Sequence, residues 1–536
     1  MNFRTHYSAT LARTALLFLC CLGISFLSGA FASETREDPD EPAHIVTGLM
    51  VHDYLTHGLG SPPLAFARDY YIHYPKVAIG HWPPLFYLEQ ALWTLIFPPT
   101  RTYLLCMMAL LAAAVASLTY SILRDQHGRV VAWCAALLLL TLPASAAGST
   151  QIMTEIPQTL VILAAMISLS KYLDSAKSKY AVAFGLWSAA SLLAKGTGIV
   201  LAPLPILAVL LTRRWELLRR PSFWLPALLV LTIAGPWYLG APSALHEPVA
   251  RFGGPGLARW RLGFPPFIWV DHFGWVVSCL ALAGLLWYVY RSLKGDRFPG
   301  VIVTAAALAI CGTSFPFFFA VWESRHQAEV SPAFVIMAAA GAAWLFSLKP
   351  LDKCSGGLKA VAACLLSAVL CSWNLMHLYR QKSSGYGELA QSIVHDRTGP
   401  IHVLLISASP TGEGALISEI AQREPHPRRY ILRSTKLLAD LTWMGLEVRP
   451  RFHATEEVHD YLAGLPLEMV VFDRTTPPRF SYGELLEHAV LSHPEEWQPW
   501  AEAPARFHVF LRIGGLTLGP EALHKLMTEI SGVPTI

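Results

Sequence analysis

The sequence predicts an α-helical polytopic membrane protein followed by a soluble α/β domain. Three observations carry that prediction. Of 536 residues, 54% are hydrophobic and only 15% are charged, against roughly a quarter charged in soluble domains. Apolar runs near the roughly 20 residues that a membrane-crossing helix needs recur as far as about residue 378. Beyond that point the pattern shortens to strand and helix lengths separated by polar turns.

The apolar runs lie at 11–32, 103–123, 130–148, 156–173, 180–194, 197–212, 222–241, 270–290, 299–320, 328–348 and 358–378, giving about eleven spans. The fifth and sixth are short pieces joined by Ala194-Lys195-Gly196-Thr197-Gly198. The first ends in Ser28-Gly29-Ala30-Phe31-Ala32, a small-residue pattern that also suits signal-peptide cleavage; retention as a span is the expectation.

Basic residues set the orientation, because Lys and Arg collect on the cytoplasmic side. They fall at every second connection: Arg4 and Arg13; Arg124 and Arg129; Lys171, Lys177 and Lys179; Arg213, Arg214, Arg219 and Arg220; Arg291, Lys294 and Arg297; Lys349, Lys353 and Lys359. The alternation puts the N-terminus inside and 33–102, 149–155, 242–269, 321–327 and the tail after 378 outside. The expected organisation is therefore a membrane domain over 1–378, with 33–102 as its first outer loop, and an outer α/β domain over 379–536. In the tail, Ile401–Ser407, Met469–Asp473 and Arg506–Ile513 read as strands, and Gly414–Gln422, Glu456–Leu462 and Tyr482–Leu491 as helices.

Composition also excludes classes. No block of basic residues interleaved with aromatics suggests nucleic-acid binding, and the net charge is only +4. All nine cysteines lie in the first 371 residues and none in the two large outer segments, 33–102 and 379–536, so neither a disulfide framework nor a thiolate metal site is expected.

The candidate chemistry starts at Asp38-Pro39-Asp40-Glu41-Pro42-Ala43-His44, directly after the first span. Carboxylates and a histidine there lie in water close to the bilayer, where a base acting on a lipid-linked substrate would be needed. On spacing alone the segment reads as a solvated acidic loop with Asp40 or Ser33 as a helix N-cap. The following Ile45–His52 suits a short amphipathic helix on the membrane. Next, His81-Trp82-Pro83-Pro84-Leu85-Phe86-Tyr87 is an aromatic turn whose composition matches an interfacial anchor.

These elements in this order resemble the GT-C membrane glycosyltransferases. The nearest branch contains the protein O-mannosyltransferases, the lipid A aminoarabinose transferase and the RgtA/B/C/D-like enzymes. An Asp-Glu pair with Ala-His after span one is similar to that family's first-loop signature, and His81–Tyr87 to its "HPPL-Y" element. Thr154-Glu155-Ile156-Pro157 looks like the second acidic position, Leu193–Gly198 like the Lys-Gly hairpin and Gly235-Pro236-Trp237-Tyr238 like the Pro-Trp at a helix end. In Ser324-Arg325-His326 the family often has Arg-Tyr, so His326 departs from the pattern. The similarity covers about residues 10–350.

The resemblance implies a polyprenyl-phosphate-linked sugar donor, a lipid, glycan or protein acceptor, and transfer with inversion on the periplasmic face of a bacterial inner membrane. Asp40 is the expected general base, with Glu41 as alternative base or as the neighbour that tunes it. Lys195 and Arg325 are candidates for the leaving phosphate, although each also suits snorkelling to the interface. Glu155 is placed to orient the acceptor or to favour a helix N-terminus. His44 and His81 either polarise a hydroxyl or pack. No metal and no cofactor is expected, since the branch does not generally need one. Segment 242–269, with Glu247, Arg251, Arg259 and Arg261, reads as a lid or as a plain connection. Ser409–Gly414 lacks a glycine fingerprint and reads as an ordinary turn. Two other readings remain: a flippase or transporter, disfavoured because no repeat is visible, and an O-antigen polymerase or ligase-like protein.

Overall fold

The structure, a computed structural model, describes residues 3–35, 38–240, 265–314, 324–349, 351–395, 402–441, 448–473 and 481–532. Most of the lid candidate, including Glu247, Arg251, Arg259 and Arg261, lies outside these residues. The chain divides into two compact units, one of residues 1–29, 80–86 and 105–380, the other of 30–79, 87–104 and 381–536.

The first unit is helical. Among the described residues seven helices are long and apolar enough to cross a membrane: Ser8–Leu27, Arg101–Thr141, Glu155–Ser175, Pro221–Gly240, Trp269–Leu293, Arg325–Phe346 and Gly356–Met376. Shorter apolar helices cover Gly196–Thr212 and Gly300–Ser314, and Ser178–Ala194 forms another. Arg101–Thr141 is two helices in line, because Gly128 breaks it with φ 85° and ψ 174°, a conformation that costs only glycine little. The expected spans 103–123 and 130–148 lie on either side of that break. Within the described residues each of the eleven apolar runs falls on helical structure, and seven of the helices reach membrane-crossing length. Proline opens several of them, as at Pro221, where its missing N–H has no helical partner to lose.

Close packing inside this unit uses small residues, as lipid-embedded helices do. A Cβ added at Gly341 would sit 2.1 Å from the Leu280 carbonyl oxygen, and one at Gly284 2.1 Å from that of Met337. Helices Pro265–Leu293 and Ser331–Phe346 therefore cross backbone to backbone.

The second unit is the α/β body. Its strands are β1 (Val403–Ser407), β2 (Tyr430–Arg433), β3 (Ala439–Leu441), β4 (Val448–Pro450), β5 (Met469–Asp473), β6 (Trp497–Pro499) and β7 (Phe507–Arg512). Five form one sheet in the order β2-β1-β5-β7-β6, with β3 and β4 as a separate pair. β1 is parallel to β2 and β5, in register Leu405 with Leu432 and with Val470. β7 runs antiparallel to β5 and β6. Val403, Leu405, Val470, Leu432 and Phe510 build the core together with Leu462, Leu486 and Met527 from flanking helices. The strands and helices expected in the tail are all present, with ends shifted by a few residues.

The first loop segment is part of this body. Ile72, from helix Pro63–His73, belongs to the same core. His73 stacks on Tyr430 with ring centroids 4.1 Å apart, and its Nδ1–H donates to the Arg429 carbonyl at 3.0 Å. Tyr74 donates to Glu424. Helix Asp40–Asp53 packs against Pro410–Ala421, with Glu41 through Leu49 all buried. The expectation of a helix lying on the bilayer is corrected accordingly: protein covers this apolar face. At Ser409–Gly414, Ser409 caps the helix by accepting from the Gly412 N–H at 3.1 Å.

Candidate active site

In the α/β unit the acidic loop becomes a helix start. Asp40 opens helix Asp40–Asp53, and its N–H donates to Asp38 Oδ1 at 2.9 Å. Asp38 therefore satisfies one of the orphan amides of a helix N-terminus, near which carboxylates are favoured. The Asp40 side chain is half-buried. Lys76 and Tyr87 lie within electrostatic reach of its carboxylate.

Glu41, one residue on, points elsewhere. It is fully buried, and its Oε1 accepts from Arg101 Nε and Nη2, each at 2.9 Å. Arg101 continues outward from that pair. It donates to the Ala30 carbonyl, to the Ser33 carbonyl at 2.8 Å and to Gln381 Oε1 at 3.3 Å. One guanidinium thus ties Glu41 to Ala30, Ser33 and Gln381 within the α/β unit.

His44 is buried and shares a 3.0 Å hydrogen bond between Nδ1 and the Tyr87 hydroxyl. The last residue of the aromatic turn is thereby the polar partner of the acidic segment's histidine. His81, at the other end of that turn, lies in the helical unit and meets Trp82 edge-on at 4.5 Å.

Lys76 follows helix Pro63–His73. Burial, helped by Arg433, pushes its ammonium down to about 7, against the opposing pull of Asp40 and Glu413. A lysine whose folded value lies below its ordinary 10.5 lowers stability while charged, and that cost lifts as pH rises from about 7 towards 10.5. Wild type should therefore gain thermal stability relative to Lys76→Met between pH 6.5 and 9. Parallel melting curves for the two proteins across that range would refute the assignment.

In the helical unit a second charge cluster gathers around Glu155. Its Oε1 accepts from Lys195 Nζ at 2.7 Å and lies 3.6 Å from Arg325 Nε. Lys195 Nζ is also 3.2 Å from Glu329 Oε1, which accepts from Thr197 Oγ1 at 2.8 Å. His326 feels the charges of Lys195, Glu155 and Arg325. Glu155 and Glu329 are both buried, and Glu155 Oε2 has no hydrogen-bond partner among the described residues. Local structure explains the placement. The Ser178–Ala194 helix ends at Lys195, which turns to φ −161° and ψ 144° before the Gly196–Leu201 turn. Glu155 heads the preceding helix, Glu155–Ser175, as a carboxylate at a helix N-terminus should.

Glu155, Lys195, Arg325 and His326 are thus brought together in one unit, and Asp40, Glu41 and His44 in the other. Sequence reasoning missed Glu329, Arg101 and Lys76. Glu329 had a readable signal, since an acid within a predicted span is by default a functional residue. Arg101 abuts a span end on the side where basic residues are sparse, a weaker hint. Among the described residues, the groups able to hold a metal are Asp53, His57 and His426, and Asp69, His73 and His524; none of the candidate site residues belongs to either.

A polytopic helical unit with buried, paired charge at its helix ends, joined to an α/β body, defines an integral membrane protein with a polar site. Comparison with known proteins shows what the chain is similar to. Residues 81–239 match the dolichyl-phosphate-mannose-protein mannosyltransferase family. That stretch contains His81, Glu155 and Lys195. The fold is similar to that of ArnT from Cupriavidus metallidurans bound to undecaprenyl phosphate, with a TM-score of 0.58 at 16% identity over 93% of this chain and 98% of that one. Against the apo state of ArnT the TM-score is 0.60 at 15% identity, covering 94% and 98%. The archaeal oligosaccharyltransferase AglB from Archaeoglobus fulgidus, in complex with an inhibitory peptide and a dolichol-phosphate, matches with a TM-score of 0.55 at 13% identity over 93% of this chain and 73% of that one. No curated protein matches the chain by sequence. The family match covers residues 81–239, and the structural likeness shows a fold that the chain shares with ArnT and AglB.

Proposed function

We propose that this chain transfers a sugar from a polyprenyl-phosphate carrier to a lipid, glycan or protein acceptor, inverting the anomeric centre. The observation that carries the reading is the buried cluster of Lys195 and Arg325 with Glu155 and Glu329. Cations at helix ends in a membrane protein are costly unless used, and a departing phosphate needs such cations as its charge grows. The similar ArnT and AglB structures hold undecaprenyl phosphate and a dolichol-phosphate, which supports a carrier of that chemistry.

In the proposed reaction Asp40 takes the proton from the acceptor's hydroxyl or amine. The acceptor atom bonds to the anomeric carbon as the bond from that carbon to the phosphate oxygen breaks. The polyprenyl phosphate leaves with the bonding pair, held by Lys195 and Arg325. Glu155 orients the acceptor or sets the lysine's position; His44, His81 and His326 bind substrate. Glu41, locked against Arg101, anchors the helix that carries Asp40. The matching alternation of basic loops supports a periplasmic site in a bacterial inner membrane. Residues 1–378 form the membrane catalytic domain in this reading, and 379–536 the body that fixes the first loop.

Purified protein supplied with undecaprenyl-phosphate sugars provides the test. Lys195→Met should lower transfer by about 10²–10³-fold, the usual cost of one oxyanion donor. The double variant Lys195→Met/Glu155→Gln, which removes opposite charges together, should melt near wild type yet stay inactive. Wild-type transfer by Lys195→Met would remove the cluster from the reaction. Retained anomeric configuration in the product would reject inversion.

A further inference from the structure

Helix Asp40–Asp53 does not end cleanly; it runs into a π-helical turn, Tyr54–Gly58. Such wide turns are rare and recur at functional sites. Asp53 and His57 lie four residues apart across it and so share a face. His426, from the segment between Pro410–Ala421 and β2, meets His57 edge-on with ring centroids 4.3 Å apart. One ligating atom from each of Asp53, His57 and His426 falls within 4.8 Å of the other two. All three residues belong to the α/β unit, and the proposed transfer chemistry uses none of them.

We propose that Asp53, His57 and His426 bind a zinc-type divalent ion that clamps the far end of the Asp40 helix to the tail.

The groups around the three residues prepare them as ligands. The Thr56 hydroxyl lies 2.9 Å from the His52 carbonyl and 2.8 Å from His57 Nδ1. When it donates to the carbonyl it accepts from Nδ1–H, which leaves the Nε2 lone pair for a metal, the outer-shell pattern of ligating histidines. Asp53 is buried, and the buried Tyr70 hydroxyl donates to its carboxylate. His57 and His426 are exposed, so their rings are able to turn inward to the roughly 3.3 Å ligand–ligand spacing of a tetrahedral zinc site.

Donor type selects the ion. Two imidazoles and one carboxylate suit Zn²⁺, or Co²⁺ and Ni²⁺, rather than Mg²⁺ or Ca²⁺, which take oxygen ligands. Three protein ligands leave a fourth position for water. The 14-residue helix places this clamp about 20 Å along the axis from Asp40, so its role is to fix the helix rather than to act on substrate.

The test uses the full chain in detergent, carrying no polyhistidine tag and stripped with EDTA. Zn²⁺ alone is titrated at pH 7.5 against a chromophoric chelator. Wild type should take up about one equivalent and melt at a higher temperature with Zn²⁺ present. His426→Ala and His57→Ala, both at exposed positions, should each weaken binding about 100-fold and abolish the thermal shift. Thr56→Val should weaken it about 10-fold, because it releases only the tautomer. His524→Ala, in the second histidine–aspartate group, should bind like wild type. Undiminished Zn²⁺ binding by His57→Ala and His426→Ala, or its loss in His524→Ala alone, overturns the assignment. So does failure of wild type to bind at micromolar Zn²⁺.

Discussion

Replacing Asp40 by asparagine should cut sugar transfer by about 10²–10⁴-fold, the range for loss of a general base, while leaving the melting temperature unchanged. The stability half of the expectation follows from the helix start. The contact that shapes it runs from the Asp40 backbone N–H to Asp38, which the substitution keeps. Asparagine is isosteric and is also tolerated at a helix N-terminus. The activity half rests on Asp40 being the half-buried acid of the pair, whereas Glu41 spends its Oε1 on Arg101. The informative control is Glu41→Gln. It should lower the melting temperature and reduce turnover only as far as the helix shifts. If Asp40→Asn, still folded, transfers sugar at the wild-type rate while Glu41→Gln is dead at unchanged stability, the two roles are reversed.

The contrast between these neighbours shows what the sequence could and could not disclose. Elements set by local pattern were legible. Apolar runs of span length became helices, and Gly128 separates two runs that a length criterion alone joins into one 41-residue helix. Alternating and apolar pentads such as Val403–Ser407 and Met469–Asp473 became strands of one sheet. That Asp38, Asp40, Glu41 and His44 stand together was legible too, because they are nearly contiguous in the chain.

What stayed hidden was pairing across long separations. Nothing near Glu41 in the chain signals that its counter-charge is Arg101, or that Lys195 is shared between Glu155 and Glu329. The fate of the first loop was hidden for the same reason. Its helix Asp40–Asp53 has an amphipathic pattern that a bilayer or a protein surface satisfies equally well. Only tertiary packing against Pro410–Ala421 decides between them.

The largest stability effect is expected at Arg101. Removing it by Arg101→Met leaves the Glu41 carboxylate buried without its cation, and breaking one half of such a pair costs about 3–5 kcal/mol. It also strands the Ser33 and Ala30 carbonyls that the guanidinium satisfies. A fall in melting temperature on the order of 10 °C follows for a body of this size. The double variant Glu41→Gln/Arg101→Met should recover more than half of that loss, because no net charge is then left buried. A double-mutant cycle reads the coupling directly, since the two side chains touch. Turnover separates anchoring from chemistry. Arg101→Met should lose activity through displacement of Asp40, the residue preceding Glu41 on the same helical turn, and the double variant should regain activity together with stability. Equal melting temperatures for Arg101→Met and wild type, or recovery of stability without recovery of turnover, would show that Arg101 does not position the Asp40 helix through Glu41.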